Sequence, residues 1–325
     1  MKKRKILCAL ALSLTVPMLS TLTACGKTNK PSAPTTSTAH THAYTEVSYA
    51  IESDKAYKIT TCACDEFTKE EMVGAIIATP ETAHDLINTT SDNTVVLSSG
   101  TYGLDVLRFD MPDSPTNNLK IVGVEGAEVS NIYASEHDND KLNNLYIGNI
   151  KFTGQGVHSN HIDIEGITVE NCEFVGSAGV GFGNNLVKDV VVKNCTFNLD
   201  GSATDQTAIY INAGVEDLAV EGCDFVDVPY NAIQANDASV TGNITIKNNN
   251  FVKTGSRVLY MNGITDAASV VLTIEGNTFC VPTTAKSDGN YVKLGTEIEI
   301  SKNNTWVIES GKEANYYFAG AVVEA

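Results

Sequence analysis

Basic residues are scarce in this chain: 22 Lys and Arg stand against 39 Asp and Glu, a formal charge of −17. Lys2, Lys3, Arg4 and Lys5 crowd into an opening stretch without acids, so the remainder is more acidic still. Nucleic acids are held by Lys and Arg that neutralise phosphates, and the deficit excludes them as partners. Acidic polysaccharides would need bridging calcium; neutral glycans and cationic partners fit the charge. The acidic stretch Glu136-His137-Asp138-Asn139-Asp140 lacks the D-x-D-x-D-G spacing of a calcium loop and reads as a solvated turn. Between Leu145 and Trp306 the only arginine is Arg257, beside Lys253, which is thin provision for a catalytic base and fits a structural role better.

Apolar runs are short as well. Residues 1–24 combine the basic start, an apolar stretch from Ile6 to Val16, and small residues ahead of Cys25. That pattern makes a secretory signal, too short to remain as a membrane span. Leu22-Thr23-Ala24-Cys25 also resembles a lipoprotein signal, which implies cleavage before Cys25, diacylglycerol on its thiol, and membrane contact through the lipid anchor only. Residues 25–39, rich in Thr, Ser, Pro and Lys, read as a tether with no core of their own.

What the chain does have is a phrase that returns every 22 to 28 residues: LYIGNIKF (Leu145 to Phe152), ITVENCEF, VVVKNCTF, LAVEGCDF, ITIKNNNF, LTIEGNTF and a decayed IEISKNNT (Ile298 to Thr305). Apolar residues alternate with polar ones over the first three positions, which is the period of a strand. Strands this short bury a face only by stacking, coil upon coil, about 4.8 Å apart. The expected fold is all-β, a single-stranded right-handed parallel β-helix over 94–306, with a short capping helix in 67–93 and a closing segment in 307–325. Phe152, Phe174, Phe197, Phe225, Phe251 and Phe279 should stack in one column. Asn149, Asn171, Asn194, Gly222, Asn248, Gly276 and Lys302 fall at a bend, where most are residue types that tolerate a left-handed backbone. Cys172, Cys195 and Cys223 share the next position with Asn249, Asn277 and Asn303, which predicts buried free thiols giving way to an amide ladder. Glu170, Lys193, Glu221, Lys247 and Glu275 alternate in sign, as neighbours on an outer face should. Thr79-Pro80-Glu81 reads as a helix start.

These repeats resemble those of bacterial right-handed parallel β-helix proteins of the pectate-lyase-like superfamily. The resemblance implies the fold and is nearly silent on reaction, because that superfamily hosts lyases, hydrolases and adhesins. Of the N-x-D, D-D, G-H-G and R-x-K motifs of its polygalacturonate hydrolases, D-D, G-H-G and R-x-K are missing here. A second resemblance covers residues 40–66, where His40-x-His42-x-Tyr44 precedes Cys62-x-Cys64, as in short segments of Gram-positive surface proteins. His40, His42, Cys62 and Cys64 supply the four ligands a tetrahedral zinc takes, while a Cys62 to Cys64 disulfide is the competing use of the same thiols.

On the second strand of each coil, an outward stripe is expected: Asp163, Gly181, Tyr210, Gln234, Tyr260 and Lys293, followed by Glu165, Gly183, Asn212, Asn236 and Asn262. Tyr faces flanked by amides contact sugar rings. Asp163, Tyr210, Asn212, Gln234, Asn236, Tyr260 and Asn262 are therefore the candidate ligand residues, for a glycan or cell-wall polysaccharide bound without catalysis at a cell surface. Two rivals stand beside this reading: a polysaccharide lyase or glycoside hydrolase, for which Asp163 and Glu165 are the only paired carboxyls on the stripe, and a metal-binding surface protein.

Overall fold

A computed structural model describes residues 44–323 apart from 104–107, 111–117, 136–140, 161, 178, 184–185, 200–205, 213, 236–238, 283–290, 301–302 and 311–317. The chain winds into a parallel β-solenoid of about seven turns. One face is a nine-stranded parallel sheet, from Ile76–Ala78 through Lys141–Gly148 and Val187–Lys193 to Val270–Glu275. The other two faces merge into a sixteen-stranded sheet, because Ala127–Ser135 and Lys151–Asn160 run unbroken around the corner between them. Later coils break there into two short strands each, such as Glu173–Val175 and Gly179–Gly183.

Register puts equivalent phrase positions side by side. Phe152 pairs with Phe174, Phe174 with Phe197, Phe197 with Phe225, and so on to Phe279. Their rings stack with centroids 4.7 to 5.1 Å apart. Asn149, Asn171, Asn194 and Asn248 have φ of 53 to 56°, and Gly222 and Gly276 take 64 and 68°, so the bend uses the left-handed backbone that the residue types allow. Glu170, Lys193, Glu221, Lys247 and Glu275 form one cross-strand row, with Lys193 Nζ 3.2 Å from Glu170 and Lys247 paired to Glu275.

The column beneath the bend changes chemistry partway. Cys172, Cys195 and Cys223 are buried free thiols whose Sγ atoms point at carbonyls of the preceding coil, and burial pushes the Cys195 thiol up, so it stays protonated. An amide ladder then takes over: Asn249 Nδ2 donates to Asn277 Oδ1 at 3.1 Å, and Asn277 Nδ2 to Asn304 Oδ1 at 2.9 Å. The last repeat thus sits one residue later than the spacing predicts, with Asn304 in place of Asn303 in the ladder. Trp306 takes the Phe position, its ring 4.2 Å from Phe279. Indole is the larger apolar group, and burying it over the Phe column outweighs keeping the decayed phrase in step.

The solenoid begins earlier than 94. Ile76–Ala78 already pairs with Thr94–Leu97, and the helix Ala83–Thr89 lies between these two strands, with Ala83 and Ile87 in the main core. The helix starts three residues after Pro80. Thr79 organises the turn before it, its hydroxyl donating to Glu81 at 2.7 Å and its carbonyl accepting from Ala83 N at 2.9 Å. Ahead of the solenoid, Tyr44–Glu52, Lys55–Cys62 and Phe67–Glu71 make an antiparallel sheet. It has little apolar surface of its own, and Tyr49, Ile51, Ala56 and Met72 pack against Val96, Val122, Val124 and Tyr146 on the outside of the nine-stranded face. Among the described residues, no helix is long and apolar enough to cross a membrane.

Candidate functional site

On the third face the inward positions are apolar: Val157, Val180, Ile209, Ile233, Leu259 and Val292 share one row. The adjacent row points out, and reads Tyr133, His158, Gly181, Tyr210, Gln234, Tyr260, Lys293. His158 therefore holds the place the sequence assigns to Asp163. The reason is the unbroken strand Lys151–Asn160, which reaches the third face five residues before the alternation around Asp163 begins. Asp163 instead opens the next strand of the nine-stranded face, opposite Lys141, and Glu165 pairs with Lys188. Both are exposed, and Glu165 belongs to a cross-strand charge row that continues through Lys188 to Glu216 at 2.7 Å. The paired carboxyls lie on a different face from the tyrosines.

Two adjoining cavities of about 380 and about 500 Å³ meet over Gly181 and share His158, Gln206 and Tyr210. Tyr230, Thr207 and Gln234 extend the groove on one side; Tyr133, Gln155, Asn160 and Asn212 extend it on the other. Gln206 is set by its Nε2 donating to Ser177 O at 2.6 Å. Gln234 is pinned deeper: Asn231 Nδ2 and Thr207 Oγ1 both donate to its Oε1, while Asn231 Oδ1 accepts from Arg257 N at 3.1 Å. Among the described residues that line the groove, none carries a carboxylate, an ammonium or a guanidinium.

His158 is the titratable group of that lining nearest neutrality. Its Nε2–H donates to Gln155 O, which fixes the tautomer and leaves Nδ1 as acceptor over Gly181. Burial lowers its pKa below the usual imidazole range, and the bond to Gln155 opposes this only in part. The ring is therefore neutral around pH 7.

Of the candidate ligand residues, Tyr210, Asn212 and Gln234 line the groove. Tyr260 and Asn262 lie outside it: the Arg257 guanidinium carbon sits 4.4 Å from the centre of the Tyr260 ring, with Lys293 Nζ at 5.4 Å, so cations cover that ring. This also gives Arg257 a packing role. Asn236 lies outside the described residues, as do Cys25, His40, His42 and the loop 136–140. Cys62 and Cys64 are joined as a disulfide, which takes both thiols away from any metal in this form. Among the described residues, no group of three or more His, Cys, Asp or Glu is placed to hold a metal ion.

His158, Tyr133, Tyr230, Gln155, Asn160, Gln206 and Thr207 are groove residues that the sequence did not single out. Gln206 and Tyr230 come from the corners between strands and Gln155 from the bend within Lys151–Asn160, where no period applies; His158 differs from the expected Asp163 by one strand assignment. A search of protein-family models, curated proteins and solved structures finds no match to this chain.

Proposed function

We propose that the chain is a surface lipoprotein, anchored through Cys25, whose solenoid binds a neutral glycan of cell-wall or similar origin without catalysis. The observation that carries this reading is the chemistry of the groove: on a chain of formal charge −17, its described lining offers tyrosine faces and amides and no fixed charge. Sugar rings present apolar faces to aromatic rings and hydroxyls to amides, and a neutral lining spares a neutral ligand the cost of leaving buried charges unpaired. The resemblance of the repeats to the pectate-lyase-like superfamily agrees with a carbohydrate ligand.

Isothermal titration against neutral oligosaccharides tests it. Tyr210→Ala is expected to weaken binding by about tenfold or more, about 1.4 kcal/mol; unchanged affinity would discard the groove as the site. The catalytic rival rests on one observation, His158 held neutral beside three tyrosines. It predicts new reducing ends or unsaturated products that disappear in His158→Gln.

A further inference from the structure

The strand Gly179–Gly183 reads GVGFG, and its two side chains, Val180 and Phe182, both point into the core. The three outward positions are all glycine, so this rung carries no outward side chain. On one side of it stand His158 and Asn160, on the other Tyr210 and Asn212. The result is a trench that runs along the strand, across the solenoid axis, and both cavities of the groove lie over it.

Backbone geometry does not demand all three glycines, since none of them has the positive φ that favours the residue. Gly179 is explained by close packing, as a Cβ there would lie 2.9 Å from Ala208 O. Gly181 faces the His158 ring, whose Nδ1 a Cβ would meet at 2.7 Å, and Gly183 faces chiefly Asn160 Oδ1 at 3.0 Å, with Ser159 O at an ordinary 3.6 Å. What those two glycines preserve is room above the strand.

We infer that one neutral pyranose ring occupies this bare rung, lying across the solenoid axis with its faces toward His158 and Tyr210. The inference rests on the glycan-binding reading and adds the position, the direction and His158 as a binding residue. The walls belong to rungs two steps apart, ~9.6 Å at ~4.8 Å per step. Contacts of ~3.5–4.0 Å on each side fit a single puckered ring into that gap, and His158 leaning over Gly181 narrows it further. The imidazole Nδ1 accepts from one sugar hydroxyl, and the amides of Asn160, Gln206 and Asn212 serve others. A chain following the axis instead would pass onto Gln234, already held by two donors, and then onto Tyr260, whose ring is covered by Arg257. The ligand's path therefore turns across the solenoid at Tyr210.

Titration of the full chain with chitotetraose, cellotetraose and mannotetraose, with tetragalacturonate as the anionic comparison, tests this using Gly181→Ala, His158→Gln and Tyr260→Ala. At least one neutral tetraose should bind more tightly than tetragalacturonate. Gly181→Ala should lose about tenfold or more while its unfolding midpoint stays near wild type, His158→Gln should lose affinity as well, and Tyr260→Ala should stay within about twofold. If Gly181→Ala unfolds, His158→Gln alone decides. A wild type that binds, with affinity kept in Gly181→Ala and His158→Gln and lost in Tyr260→Ala, would overturn the transverse site and leave glycan binding standing. A wild type that binds no neutral tetraose overturns both.

Discussion

Replacing Asn277 by Ala should be among the most damaging single changes in the solenoid, although the side chain is small and polar. Asn277 is fully buried, and its amide serves three neighbours on two other coils. Its Oδ1 accepts from Asn249 N at 2.9 Å and from Asn249 Nδ2 at 3.1 Å, while its Nδ2 donates to Ile246 O at 2.8 Å and to Asn304 Oδ1 at 2.9 Å. Removal leaves the Asn249 N–H without that acceptor in a buried setting, at ~1–3 kcal/mol, and withdraws three further bonds at ~0.5–1.5 kcal/mol each. The sum is roughly 2.5–7.5 kcal/mol, before any cavity term. Two neighbouring groups soften the loss: Asn249 Nδ2 keeps Val220 O at 2.8 Å, and Asn304 Oδ1 keeps the Asn277 N–H at 3.0 Å. Cys223→Ala is the matched control, in the same column, where Sγ contacts Val192 O and Glu221 O at only 3.6 and 3.5 Å. A thiol is a weak donor, so that change should cost roughly 1 kcal/mol, the worth of one small apolar group. Urea unfolding followed by far-ultraviolet circular dichroism gives the comparison. Emission from Trp306, the single tryptophan, reports the end of the same ladder. Equal losses in the two variants would mean that the amide column adds nothing beyond packing, and the reasoning would fall.

Lys247 separates Glu221 from Glu275 in the charge row, so Lys247→Glu places three carboxylates on successive rungs. The unfolding midpoint should drop at low ionic strength and recover in molar salt, because the repulsion is exposed and screened; a salt-independent drop would point to packing instead. His158 predicts a pH signature. Its folded pKa lies below the unfolded value because burial disfavours the charged ring, so between the two values the unfolded chain binds more protons. The stability held by neutral His158 is thus complete above about pH 6.5 and is lost as pH falls below it, toward the folded pKa. Denaturant unfolding of wild type and His158→Gln at pH 7.5 and pH 5 should show the wild type's advantage shrinking on acidification; a flat or growing difference refutes a buried neutral ring.

The parts of this fold that were legible in the sequence are those where one coil repeats the next. Once Phe174 and Phe197 occupy the same phrase position, stacking leaves them no other place, and the same logic fixes the Asn149 bend column, the thiols and the Glu170 row. Errors came where the repeat decays or the chain turns a corner. The last phrase slipped by one residue because Trp306 competes for the Phe column. The alternation around Asp163 points to the third face because nothing local marks Lys151–Asn160 as one continuous strand; Gly156, with φ of 88°, lets it bend without a break. The antiparallel sheet before the solenoid went unread too, although Ser53 and Asp54, with φ of 49 and 62°, make the tight hairpin turn that its strands need. Groove residues such as Gln206 and Tyr230 converge from corners of different lengths, which no period encodes.

The bare rung was hidden for a further reason: its signal is an absence. Glycine inside a strand costs about 0.5–1 kcal/mol relative to alanine, so three of them in Gly179–Gly183 weaken that rung by roughly 1.5–3 kcal/mol. Only Gly179 is repaid by a close backbone contact. A sheet of independent strands would shed such a rung or slip past it. In a solenoid each coil is held by its neighbours, and beneath this one Phe174 stacks on Phe152 and Phe197 with centroids 4.9 and 4.7 Å apart while Val180 and Phe182 stay in the core. The core side of the coil carries the stability, so the outer side is free to be emptied. Gly183→Ala should therefore leave the fold as stable as before or slightly more so, whereas in Gly181→Ala the same backbone gain is set against moving the His158 ring, 2.7 Å from the new Cβ; any further loss should appear in what the groove holds.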